Sequence, residues 1–245
     1  MTYSARPDTS RLCLILAKKN SRRIPEKNKR PLHGRPLYAY TIDAAVTSGI
    51  FTHIVCSSDD DAILNSLSQW PEVRGDRRPK HLADNTASAW DVLRDFLTTH
   101  ENTARSIEDI CILTPCHPFR SAVHISDAFR EYRQAQADAL LSVTPYPYPP
   151  ELAFGRDSRG RLSRQWQGLN RKEDHPVRYY PNGAVLFVRR EHFAQQGNIY
   201  GGNCYGYILD WPYGLDIDTW QDLEMAERLF HSYRHNVQEN GLCPA

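Results

Sequence analysis

No run of about 18 apolar residues, the length a membrane-spanning helix needs, occurs in the 245-residue chain. Residues 1–11, MTYSARPDTSR, lack the apolar stretch of a secretory signal, so the expectation is a cytoplasmic protein with no membrane partner. Charge of one sign is missing too: 30 Lys+Arg stand against 29 Asp+Glu, a formal net charge of +1. Without a global field the chain is not suited to wrapping nucleic acid, and its anionic partner should be small. The six cysteines form no Cys-x-x-Cys pair, and several sit in apolar runs, so free buried thiols are the reading. Internal repeats and low-complexity blocks are absent. What is there is 40% hydrophobic and 11% aromatic, enough for a core in one α/β domain spanning 1–245, with 1–11 and 232–245 expected as flexible ends.

Positive charge is concentrated early. Leu12 to Leu16 reads as one buried strand, and Lys18, Lys19, Arg22, Arg23, Lys27, Lys29 and Arg30 follow with only Glu26 opposing them. Asn20, Ser21 and Asn28 add neutral hydrogen-bonding groups, a chemistry that suits a polyanion such as a triphosphate. No glycine lies between Leu12 and Arg30, so this is not the Gly-x-x-x-x-Gly-Lys-Ser/Thr loop; backbone amides can add donors, but side-chain cations carry more of the binding. A merely solvated charge run and a nucleic-acid patch are the competing readings.

Strand and helix patterns then alternate, which means a mostly parallel sheet. Leu37, Tyr40 and Ala44 predict a helix stopped by Gly49. A strand over 53–57 precedes Asp59, Asp60 and Asp61, which read as a helix N-terminus before they read as a metal site. The loop reading covers Gly75 to Asn85, a helix carries Trp90, Leu93 and Leu97, and Ile110 to Leu113 is a buried strand. Thr114-Pro115-Cys116-His117-Pro118-Phe119-Arg120 turns the chain at that strand's carboxyl end, where α/β sheets place their ligands, so His117 is a candidate contact. Cys116 beside His117 resembles a thiol and its base, but adjacent residues seldom face each other.

The Pro145–Pro150 run is too proline-rich for a central strand, and 145–176 reads as an excursion whose Phe154 and Trp166 pack on the body or on another subunit. Asn182-Gly183 reads as a turn before a strand over 184–188. In Asp216-Ile217-Asp218, residues two apart in extended chain point the same way, presenting two carboxylates with Ile217 inward. Such a pair suits Mg²⁺; the competing reading has Asp218 cap the next helix.

The runs LILAKKNSRRIPEKN, RPLHGRPLYAYTIDAA, IVCSSDDDAI, RPKHLADNTA, LTPCHPFR, LLSVTPYPYPP, YYPNGAVLF and LDIDTWQDLEMAE, in this order over about 12–229, resemble the acylneuraminate cytidylyltransferase family. The resemblance implies a Rossmann-like α/β nucleotidyltransferase fold with a dimerisation arm at 145–176, a homodimer, and a Mg²⁺-dependent reaction of CTP with a small acidic acceptor, a nonulosonic acid. It assigns Lys18, Ser21, Arg22, Lys27 and Asn28 to the nucleotide loop and Arg78 and Asp84 to the base and ribose side. Thr114, His117, Arg171, Tyr179 and Asn182 fall to the acceptor, and Asp216 and Asp218 to the metal. Lys18, Arg22 and Lys27 would neutralise departing pyrophosphate.

The chain departs from the family pattern where the usual Ala-Arg-Gly-Gly-Ser-Lys is Ala17-Lys18-Lys19-Asn20-Ser21-Arg22. It departs again where Gln-Pro-Thr-Ser-Pro is Thr114-Pro115-Cys116-His117-Pro118. The second change keeps open another acceptor, a different α-keto acid or a phosphonate, and the acidic pair keeps open a metal-dependent glycosyltransferase.

Overall fold

In the computed structural model, which describes residues 10–84, 86–164, 166 and 171–240, the last ten by backbone alone, seven strands make one sheet. They are β1 (Ser10–Leu16), β2 (His53–Ser58), β3 (Val73–Arg77), β4 (Ile107–Leu113), β5 (Ala139–Pro145), β6 (Tyr179–Arg189) and β7 (Cys204–Ile208). Their order is β7-β5-β6-β4-β1-β2-β3, and every pairing is parallel except the two made by β6. The expectation of a mostly parallel sheet flanked by helices holds, with one antiparallel strand the residue pattern did not announce.

The run LCLIL reads as continuously apolar because both sheet faces are covered. Cys13 and Ile15 enter the core under α1 (Leu37–Ser48) and α5 (Ala122–Gln134), while Leu12 and Leu14 enter the opposite core with α3 (Ala89–Thr99) and α6 (Arg190–Gln196). All four of these β1 side chains are fully buried. A third cluster packs Ile24 of the basic loop against Leu37, Phe119, Ile217 and Phe230, the last from α7 (Trp220–Asn240). This small core is what brings the early basic loop and the late acidic segment together. The parallel strands β1, β2, β3 and β4 end on one rim, from which that loop, Asp59, Arg78 and Thr114 all emerge.

Three local readings change. The first residues of the loop read over Gly75 to Asn85, Gly75 to Arg77, belong to the strand Val73–Arg77, of which only Val73 is buried. Asn182-Gly183 is not a turn; it lies inside β6 as a bulge, the register with β5 shifting between Pro181 and Leu186 and Gly183 taking φ of 78°. α7 continues to Asn240, past the point at His231 where its pattern fades. The ends at 1–9 and 241–245, called flexible above, lie outside the described residues. Asp60 does cap α2 (Asp61–Ser66), accepting from Ala62 N at 2.9 Å. Its neighbour Asp59 accepts from Lys19 N at 2.7 Å and so fixes the basic loop.

The 145–176 excursion carries a hairpin of Phe154–Arg156 with Leu162–Arg164. Tyr148, Phe154, Leu162 and Trp166 on it are exposed, so these four side chains do not pack on the body.

Candidate active site

At the sheet rim a cleft of about 370 Å³ is walled by Lys18, Ser21, Arg22, Arg23, Lys27 and Asn28 on one side. Arg78, residues 87–89 and Thr114 to Cys116 wall it elsewhere, and Asp218 closes it. The loop is shaped by its own hydrogen bonds. Asn28, itself buried, donates to Lys18 O at 2.7 Å, and Glu26 takes the left-handed conformation at φ 53° to start the short 3-10 turn Lys27–Lys29. Lys29 turns away from the cleft to Glu26 and to the capping carboxylate of Asp60, at 2.7 and 2.9 Å. The strand ends lock the opposite wall: Ser57 O accepts from Ala17 N at 3.0 Å and from Arg78 Nη2 at 2.9 Å.

Crowding of like charge marks this cleft as an anion site. Burial, then repulsion from Arg78 and Arg22, lowers the Lys18 pKa below its ordinary value. Arg78 is only 5% exposed and burial lowers it as well. Cations gathered in this way are relieved by an incoming polyanion.

Asp218 faces the same space. Its Oδ1 accepts from Lys27 Nζ at 2.9 Å and its Oδ2 from Arg23 at 2.6 Å, and Lys27 also reaches Ile217 O at 2.7 Å. Burial opposes ionisation of Asp218, but Lys27 and then Arg23 outweigh it and hold the carboxyl below its ordinary pKa. Asp218 is not the cap of α7: Thr219 and Asp222 close that helix end, with Asp222 N bonded to Thr219 Oγ1 at 3.2 Å and Thr219 N to Asp222 Oδ2 at 2.7 Å.

Ile217 is fully buried, as expected, yet the carboxylates beside it line different spaces. Asp216 lines a neighbouring cavity of about 290 Å³ with Thr144, Tyr180, Asn182 and Trp211. Its Oδ1 is buried with no hydrogen-bond donor. Its charge still reaches Lys27, whose pKa burial pulls down while Cys116, Asp218 and Asp216 together raise it.

Between the two spaces the Thr114–His117 turn is tied inward. His117 is 2% exposed and burial pushes its pKa down to about 4, so the ring is neutral. Nε2 faces Asn182 O at 2.8 Å, which fixes it as the protonated nitrogen, and Nδ1 faces Thr114 Oγ1 at 3.0 Å and accepts. Asn182 is saturated as well, accepting from Ser142 Oγ and Ala184 N and donating to Thr144 Oγ1 at 2.9 Å and Leu209 O at 3.1 Å. Arg120, buried beneath, donates to Ala184 O at 2.8 Å and Thr41 Oγ1 at 2.7 Å.

Of the residues named from the sequence, Lys18, Ser21, Arg22, Lys27, Asn28, Arg78, Thr114 and Asp218 converge on the larger cleft, and Asn182 and Asp216 on the smaller cavity. His117 braces the wall between them. Asp84 stands outside both, its Oδ1 accepting from Thr86 N at 2.8 Å and Ala87 N at 3.0 Å, which shapes the loop leading to residues 87–89. Tyr179 is exposed on β6, where its neighbour Tyr180 takes the cavity position. Arg171 does not reach either space: it stands on the excursion, exposed, 3.7 Å from Glu173. Arg23, named only as part of the basic run, also lines the larger cleft, and Ser88, Tyr180 and Trp211, which carried no signal of a site in the sequence, line the two spaces as well.

A family model described as Cytidylyltransferase matches residues 12–241. Pseudaminic acid cytidylyltransferase of Campylobacter jejuni is 29% identical over 221 residues, 89% of this chain and 95% of that protein. N-acylneuraminate cytidylyltransferase of Streptococcus agalactiae is 27% identical over 94% of this chain and 55% of its own length. Among solved structures, a CMP:2-keto-3-deoxy-manno-octonic acid synthetase complexed with CTP superposes with a TM-score of 0.67 at 14% identity, over 91% of this chain and 99% of that one. It shares the Rossmann-like nucleotidyltransferase fold.

Proposed function

The chain belongs to the cytidylyltransferase family, and on that premise we propose that it activates a nonulosonic acid with CTP, giving the CMP-sugar and pyrophosphate. One observation supports this above the rest: Asp218, remote in sequence from Lys18, Arg22 and Lys27, walls a single cleft with them. The acceptor hydroxyl attacks the α-phosphorus, an oxygen–phosphorus bond forms, and the bond to the bridging oxygen of pyrophosphate breaks. Such a reaction asks for alignment and charge neutralisation more than for a protein nucleophile. Lys18, Arg22 and Lys27 take the β- and γ-phosphates and the charge that develops on the leaving group. Arg78 stands toward the base, and the cavity of Asn182, Tyr180 and Asp216 takes the acceptor.

The carboxylates fit Mg²⁺. The two line neighbouring spaces: Asp216 Oδ1 is buried without a donor, which leaves a lone pair for a cation, and of the partners of Asp218 the exposed Arg23 is able to turn to phosphate while Lys27 is mostly buried. Asp216 and Asp218 would hold the ion, which when bound supplies charge neutralisation at the α-phosphate and lowers the pKa of the acceptor hydroxyl.

The exposed Tyr148, Phe154, Leu162 and Trp166 of the excursion support a homodimer formed through it. Buried free thiols at Cys13, Cys56 and Cys111 support a reducing, cytoplasmic setting, and no helix of the described residues is long and apolar enough to cross a membrane.

The test is pyrophosphate release with CTP, Mg²⁺ and a panel of nonulosonic acids, other α-keto acids and phosphonates, with other nucleoside triphosphates as controls. Release with CTP and a nonulosonic acid is expected. Release only with a phosphonate would overturn the acceptor, and none with any member would overturn the reaction.

A further inference from the structure

Cys116 stands where the resembling family has a hydroxyl residue, and the site described above does not use its thiol. Its Sγ, a ring nitrogen of His117 and a carboxylate oxygen of Asp216 all lie within 4.8 Å of one another. We infer that Cys116, His117 and Asp216 form a binding site for a borderline-soft divalent cation of the zinc class.

Three independent features carry this. A metal-bound histidine characteristically donates its other N–H to a fixed acceptor, which sets tautomer and ring orientation. His117 already does so, with Nε2 on Asn182 O at 2.8 Å, and Nδ1, which now accepts from Thr114 Oγ1 at 3.0 Å, also lies 3.5 Å from Cys116 Sγ. Tetrahedral zinc with sulfur at about 2.3 Å and nitrogen at about 2.0 Å holds those two atoms roughly 3.5 Å apart, the separation of this pair, and the Asp216 oxygen, within 4.8 Å, would close in on binding. The third feature is Asp216 Oδ1, a buried oxygen lacking any donor. A carboxylate, an imidazole and a thiol form a donor set that Mg²⁺ does not favour and zinc does.

The protein hydrogen bonds that compete are weak or replaceable. The thiol donates to Thr114 Oγ1 at 3.4 Å, and that hydroxyl, which now donates to Nδ1, has Gly183 O at 3.5 Å as its alternative. Charge balances: coordination releases the thiol proton to solvent, and thiolate plus carboxylate match a divalent ion. Lys27 is close and shares its charge between Asp218 and the Cys116–Asp216 pair, so a bound ion competes with it in part. Three protein ligands leave a fourth position to water.

Asp216 is common to this site and to the proposed magnesium pair, so the two occupancies exclude each other. The binding itself rests on no step of the reaction, and its test runs without CTP or Mg²⁺. Untagged, chelator-treated protein is titrated with Co²⁺ and followed by absorbance. A thiolate-to-cobalt charge-transfer band saturating at about one ion per chain is expected. Cys116→Ser should lose the band with the far-UV circular dichroism unchanged. Asp216→Asn should keep the thiol and weaken binding by about tenfold or more, and Cys204→Ser, at an exposed cysteine, should alter nothing. Absence of the band in the parent protein, or its survival in folded Cys116→Ser, overturns the site. Should Cys116→Ser not fold, unchanged Co²⁺ affinity in Asp216→Asn overturns it equally. Pyrophosphate release does not enter the readout, so failure of this site and failure of the proposed reaction are separate results.

Discussion

The two walls of the active-site region solve opposite problems. On the basic-loop wall, Lys18 and Arg22 are held near Arg78 across the cleft, and Asp218 is balanced by Lys27 and Arg23. On the Thr114–Asn182 wall, polar groups are buried and bonded to protein partners, the neutral ring of His117 lying between Thr114 and the Asn182 carbonyl. Like charges held together are free energy available to a ligand, whereas hydrogen bonds already made between protein groups mostly hold the fold. The first wall is therefore read as recognition and the second as the frame that holds the carboxyl end of β4 in place. Substitutions on the first should change kinetics, and those on the second should change stability.

The largest effect should come from Asp218→Ala, expected to lower kcat by about 100-fold or more while thermal unfolding barely moves. Near-normal turnover with Mg²⁺ present would remove Asp218 from the chemistry. Across the divide, Asn182→Ala strands the hydrogen-bonding groups of Ser142, Thr144 and Leu209. It should cost about 2 kcal/mol, read as a lower urea midpoint at unchanged slope. A stable variant with altered acceptor KM alone would instead move Asn182 to the recognition side. Arg22→Ala should raise KM for CTP by about tenfold, the scale of one charge-assisted hydrogen bond, with little change in stability. Unchanged CTP dependence would exclude it from the triphosphate site.

A pH titration sharpens the contrast. His117 has a folded pKa of about 4, below its ordinary value, so the unfolded state binds more protons in the interval between them. Its stabilising share is complete above the ordinary histidine value and is lost as pH falls toward 4, by about 1 kcal/mol between pH 7 and 5.5. Urea midpoints of the parent and His117→Gln should diverge over that interval; parallel pH curves would contradict the buried neutral ring. The smallest effect belongs to Arg171→Ala, expected to leave acceptor KM within about twofold because the residue reaches neither cavity. A large rise would show that the excursion delivers Arg171 to the site of another subunit.

Much of the fold was legible because the central elements carry strong periodicity. β1 and β4 are apolar on both faces, and the helices over 37–48, 89–99 and 122–134 recur in apolar residues at helical spacing, the first stopped by Gly49. The edge strands β3 and β7 were not legible, since each buries a single residue, Val73 and Tyr207, and gives no alternation to read. Asn182-Gly183 carries a turn signature, but the same freedom at φ 78° serves a bulge when flanking strands hold the chain extended. Among site residues the charged ones were found by type and spacing. The inward orientation of Thr114 and His117 depends on Asn182 and Gly183, more than sixty residues later, which no local pattern reports.

By itself the sequence determined the alternation of buried strands and amphipathic helices, the crowding of cations after β1, and the two aspartates around Ile217. Each of these follows from local period or local charge. Tertiary structure alone decided that Ile24 and Ile217 share one small core, setting Lys27 against Asp218, and that Asp216 turns instead toward Cys116 and His117. The physical reason is that packing of distant apolar side chains, not the order of residues, fixes which polar groups face one another.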